Sequence, residues 1–172
     1  MKLRALVTLG ALPLAAALLV GCSSSAGPLG QHFDQGQQCI PGTQGRTVTM
    51  GFFEVHNHGS STVKLTGITL PKIHGMVMTQ TWLMPILVTP GHDELVGLAY
   101  PYPPHWVEWP RRVPAIGAML KPGQDLNLVF GLTMTSRHNA GSNPPRITYT
   151  ADGNSYTVNY GTTILMGTCS GV

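Results

Sequence analysis

The chain has 172 residues, of which 10% are charged, with 21 glycines, 14 prolines and a formal net charge of +3. That length suits one domain with a sizeable core rather than two. So few charges leave no basic stripe for nucleic acid, and the glycine and proline content points to a turn-rich all-β chain.

At the start, Lys2 and Arg4 precede an apolar run from Ala5 to Val20, broken only by Thr8, Gly10 and Pro13. This is the pattern of a signal peptide over residues 1–21, too short and too interrupted for a comfortable membrane span. Leu19-Val20-Gly21-Cys22 matches the bacterial lipobox, so cleavage before Cys22 and lipid attachment to its sulfur are expected. Each buried methylene adds about 0.8 kcal/mol, so two acyl chains hold where one is marginal. The expected location is the outer, extracytoplasmic face of a cell membrane, reached without a transmembrane helix. Lys2 and Arg4 leave with the signal, and the remaining 151 residues carry 8 basic side chains against 7 acidic ones.

Residues 22–45 are rich in Ser, Gly and Gln and read as a lipidated flexible tether. Residues 46–172 read as the folded domain. With Cys22 lipidated, Cys39 and Cys169 remain, and outside the cytoplasm they are expected to form a disulfide. Segments rich in Val, Ile, Thr, Tyr and Phe predict strands over Arg46–His56, Thr62–Leu70, Met76–Leu83, Leu95–Ala99, Asp125–Met134, Arg146–Ala151 and Ser155–Met166, with Gly161 a point where the last can break. No long segment has helical periodicity. His58-Gly59-Ser60-Ser61 and Lys121-Pro122-Gly123-Gln124 read as turns, and Asp152-Gly153-Asn154 as a tight hairpin. Strand alternation places Val63, Leu65 and Gly67 on one face, Leu126, Leu128 and Phe130 on one face, and Ile147 with Tyr149 on another. About seven short strands predict an immunoglobulin-like, two-sheet antiparallel sandwich.

The phrases Phe53-Glu54-Val55-His56-Asn57, Val63-Lys64-Leu65-Thr66-Gly67-Ile68-Thr69-Leu70, Tyr100-Pro101-Tyr102-Pro103-Pro104 and Asn127-Leu128-Val129-Phe130-Gly131-Leu132 carry a resemblance. Through them the chain resembles small secreted actinobacterial lipoproteins of unassigned role. The resemblance implies an exported, non-catalytic sandwich and brings no functional residues with it.

One local pattern suggests metal. His74, Met76 and Met78 lie at alternate positions of an extended segment, with His56 and His58 upstream and Met84 downstream. Imidazole and thioether donors suit Cu(I). The His74-x-Met76 step resembles periplasmic copper chaperones of the cupredoxin-like kind, which implies copper as a cofactor. The alternative is that the domain has no cofactor and that Met76 and Met78 fill the core, as methionine often does. A zinc site on His56-x-His58 would need a third ligand, and none is anchored nearby in sequence.

The segment from Tyr100 to Arg112 holds four prolines with Tyr100, Tyr102, Trp106 and Trp109 beside Arg111 and Arg112. A stiff aromatic loop of this kind can meet an envelope protein or a glycan, or it can cap the sandwich with the arginines covering the rings. Enzyme motifs are missing: there is no Gly-x-Ser-x-Gly elbow, no phosphate-cradling glycine loop and no His-Glu-x-x-His helix. The expectation is therefore a non-catalytic binding or scaffold module anchored to the membrane, with a copper-handling lipoprotein as the alternative.

Overall fold

The computed structural model describes residues 27–30, 32–89, 92–94, 102–105 and 108–169. Cys22, Tyr100, Trp106 and the strand expected over Leu95–Ala99 lie outside the described residues. Among those described, no helix is long and apolar enough to cross a membrane.

The strands are β1 (His32–Pro41), β2 (Thr47–His56), β3 (Val63–Thr69), β4 (Met76–Pro85), β5 (Leu87–Thr89), β6 (His92–Glu94), β7 (Val113–Pro114), β8 (Met119–Leu120), β9 (Asp125–Met134), β10 (Ala140–Ser142), β11 (Arg146–Ala151) and β12 (Asn154–Gly167). A six-stranded sheet runs β1-β12-β11-β3-β8, with β10 also paired to β12, and a four-stranded sheet runs β2-β9-β4-β7. β5 and β6 pair separately. The two larger sheets enclose one apolar core between Val48, Met50, Phe53, Leu128 and Phe130 on one side and Leu65, Ile147, Tyr149, Val158 and Ile164 on the other. This is the all-β, immunoglobulin-like two-sheet sandwich expected, with more strands than the seven read from the sequence.

Three β-bulges decide which side chains enter that core, because one extra residue reverses the in–out alternation downstream of it. On β2, Met50 pairs with Phe130 and Phe53 with Leu128, so Gly51 and Phe52 oppose a single residue. Inward positions shift from Val48 and Met50 to Phe53 and Val55, and Glu54 and His56 turn outward. On β4, Met78 pairs with Leu132 and Thr81 with Phe130, so Thr79 and Gln80 are the extra pair. On β3 the irregularity falls between Leu65 and Gly67, opposite Tyr149 and Thr148. Val63 and Leu65 are buried as expected, but the next inward residue is Ile68, and Gly67 is only half-buried.

The hairpin at Asp152-Gly153 is a two-residue turn with φ of 50° and 75°, the paired positive values of a type I′ turn, between Ala151 and Asn154, which pair. β12 runs on through Gly161 without ending there. Gly161 adopts φ 77°, and a Cβ on it would lie 2.3 Å from the ring of Phe53.

The tether expected over 22–45 is shortened by β1, which pairs in parallel with β12 from His32 opposite Tyr160 to Pro41 opposite Gly167. The polar composition of this strand hides it; among its residues of described burial, Ile40 is the one fully buried in the core. Its parallel pairing also departs from the purely antiparallel sandwich expected. Cys39 on β1 is bonded to Cys169, with Cα atoms 5.8 Å apart across 130 residues of chain. On the chain-entropy account a loop of that size contributes about 5 kcal/mol.

Candidate functional site

The outward turn after the β2 bulge builds the main polar cluster. Asn127, buried on β9, donates from Nδ2 to the carbonyls of Gly51 (2.7 Å) and Phe53 (3.1 Å) and so holds the bulge in place. Downstream of it, His56 lies opposite Asp125 in the β2–β9 register, and its Nδ1 is in direct contact with the Asp125 carboxylate. Glu54, one outward position earlier, completes a group in which one ligand atom from each of Glu54, His56 and Asp125 lies within 4.8 Å of the others.

His58 joins from the turn beyond β2. Its ring centroid lies 3.9 Å from that of His56, at 44° to it. The turn is fixed from both sides. Buried Asn57 donates to the carbonyls of Ser61 (2.9 Å) and Leu120 (3.0 Å) and accepts from the Gly59 N–H (3.0 Å), while the His58 N–H donates to Pro28 (2.9 Å). The adjoining cleft, about 270 Å³, is lined by Phe52, Phe53, Glu54, His56, His58, Tyr160 and Gly161. Burial pushes the Tyr160 phenol up to about 12, with the charges of Glu54 and Asp125 adding to the shift and a hydrogen bond from the His56 backbone opposing it. Tyr160 is therefore a neutral hydroxyl at one wall of an acidic, imidazole-rich cleft.

The His/Met set expected to hold copper is not brought together. Met76 pairs with Met134 at the last residue of β9, whereas His56 pairs with Asp125 at its first. Nine strand steps separate them, about 30 Å at 3.4 Å per residue. The β4 bulge divides the methionines as well. Met76 is buried in the core and Met78 packs against it, while Met84 emerges on the opposite face of the sheet, buried outside that core. His74 is exposed, bridged to Gly141 by its backbone, and its Nδ1 lies 3.3 Å from the Lys72 carbonyl oxygen. Core packing accounts for Met76 and Met78, so the six residues do not form one site.

Tyr102, Trp109 and Arg112 of the aromatic segment cover the outer face of the four-stranded sheet at Trp82. Trp82 of β4 donates from Nε1 to the Tyr102 hydroxyl (3.0 Å), and the Trp82 and Trp109 rings meet edge to face at 6.2 Å. The Arg112 guanidinium lies 4.6 Å from both indole centroids, and its Nη1 donates to the Trp109 carbonyl (2.9 Å). Tyr102 approaches β9 so closely that a Cβ on Gly131 would lie 2.9 Å from its ring. Tyr102, Trp109 and Arg112 are thus engaged with the sheet and with one another. Among the described residues of this set, Arg111 alone points outward, paired with Glu108 at 2.7 Å.

Asp125 is the residue that reading the sequence missed. It stands 69 residues from its partner His56, and only the β2–β9 register joins them. From across the sheet it brings a carboxylate to the donor atoms of Glu54 and His56. No known family matches this chain, and no curated protein does. A solved structure similar to it is the ASH / PapD-like domain of human CEP192 (PapD-like domain 7), 11% identical, aligned over 100% of this chain and 99% of that one with a TM-score of 0.44.

Proposed function

We propose that this chain is an exported lipoprotein, anchored through Cys22 to the extracytoplasmic face of a cell membrane, whose sandwich is a non-catalytic binding module. The observation that carries the proposal is the Cys39–Cys169 bridge. A disulfide between the first strand and the segment just past the last one is typical of an oxidising compartment, and so agrees with a signal and lipobox read from separate residues. The surface offered for binding is the rim cleft beside Phe52 and Tyr160, since Tyr102, Trp109 and Arg112 are occupied in covering the sheet. A protein or glycan of the envelope remains the class of partner expected there.

Labelling with radioactive palmitate in a bacterium that processes lipoproteins tests the anchor. The wild-type chain should take up label and sediment with membranes, and Cys22→Ser should do neither. Equal labelling of both proteins, or of neither, would remove the anchored module from consideration.

A further inference from the structure

We infer that Glu54, His56 and Asp125, with His58 as the closing ligand, form a binding site for a divalent zinc-class ion. This names a ligand for the binding module proposed above and rests on that reading only in treating the rim as the binding surface. Its geometry does not depend on the lipid.

Three separate features of the backbone converge on the site. The bulge at Gly51-Phe52 turns Glu54 and His56 outward together, the antiparallel register sets Asp125 opposite His56, and the Asn57 turn sets the His58 ring beside that of His56. The donor atoms of Glu54, His56 and Asp125 already lie within 4.8 Å of one another. Tetrahedral zinc with bonds of about 2.1 Å places its donors about 3.4 Å apart, so small rotations of partly or fully exposed side chains close the site. The backbone need not move.

The donor chemistry selects the ion. Two carboxylates and two neutral imidazoles balance a double positive charge, and mixed nitrogen and oxygen donors suit zinc-class ions. Calcium and magnesium take six or more oxygens, and Cu(I) prefers sulfur, which this group lacks. If His58 is displaced, the open position faces the cleft lined by Phe52, Tyr160 and Gly161, where a further ligand could reach the ion.

The test is a competition titration of the purified full chain in detergent, whether or not it carries lipid, with Zn²⁺ against a chromophoric chelator. One ion per chain with a Kd of about 1 μM or tighter is expected. Glu54→Gln, which is exposed and nearly isosteric, and His56→Ala should each weaken binding by at least the roughly 10- to 100-fold seen when a supporting contact alone is lost. His74→Ala should leave it unchanged. Circular dichroism in the presence of EDTA establishes that each variant is folded. Absence of saturable binding at 100-fold excess over that Kd, equal binding of Ca²⁺, or binding lost with His74→Ala and kept with Glu54→Gln would each overturn the site. None of these outcomes touches the palmitate result, so the site and the anchor fail separately.

Discussion

Replacing Asn127 by Leu keeps the side-chain volume and removes the two hydrogen bonds that hold the β2 bulge. The carbonyls of Gly51 and Phe53 would then be left without these donors in a fully buried place. Each such loss costs about 1–3 kcal/mol, so a total of about 2–6 kcal/mol is expected. That is a large part of the 5–15 kcal/mol that holds a typical domain. Urea denaturation followed by tryptophan fluorescence measures it, with the midpoint moving and the slope preserved. The functional consequence is sharper than the loss of stability. A β2 strand that slips out of its bulge turns Glu54 and His56 toward the core, so zinc affinity should fall in Asn127→Leu although no ligand is changed. A variant within about 0.5 kcal/mol of wild type, with zinc binding intact, would show that the bulge stands without Asn127 and refute the reasoning.

Other outcomes follow from the same structure. Because Tyr160 titrates higher in the folded chain than in the unfolded one, its contribution is fully present below pH 10 and lost as pH rises from 10 towards 12; Tyr160→Phe should flatten that decline, by about 2 kcal/mol, in denaturation series at alkaline pH. Tyr149, raised by burial in the same direction, leaves a residual slope in the variant. The double change Cys39→Ser, Cys169→Ser should lower stability by about 3–5 kcal/mol and abolish any effect of reductant on the melting temperature. Arg112→Ala removes a cation held between two indoles and should cost about 2 kcal/mol, whereas Arg111→Ala, at the surface, should stay within about 0.5 kcal/mol; equal effects in urea titrations would contradict the packing described.

Composition and turn chemistry made the strand-rich architecture legible, because Asp152-Gly153 and the alternating stretches around Leu128 and Ile147 are local signals. The disulfide was legible from cysteine count and compartment. What stayed hidden depends on pairing. Bulges leave no distinctive mark at Thr79-Gln80 or Thr66, yet they decide that Met84 parts company with Met76 and that Ile68 rather than Gly67 points inward. β1 escaped notice since a glutamine-rich edge strand has little apolar periodicity to show. The candidate site divides in the same way. His56 and His58 stood out as a spaced pair, but Asp125 looked like the polar start of a strand until the register set it beside them.

If the chain hangs from a lipid on Cys22, as proposed, the parallel course of β1 along β12 has a mechanical consequence. The chain enters β1 at the His32 end, next to Tyr160, after Leu29 has sunk into the core, and the Cys39–Cys169 bond lies towards the other end of the strand. Tension arriving through the anchor meets Leu29 first. It then loads the β1–β12 hydrogen bonds lengthwise, so they resist together rather than opening one after another. Were that ladder to yield, the covalent bridge would still transmit the pull to the last strand, and the module would stretch by the length of β1 without being torn from the surface.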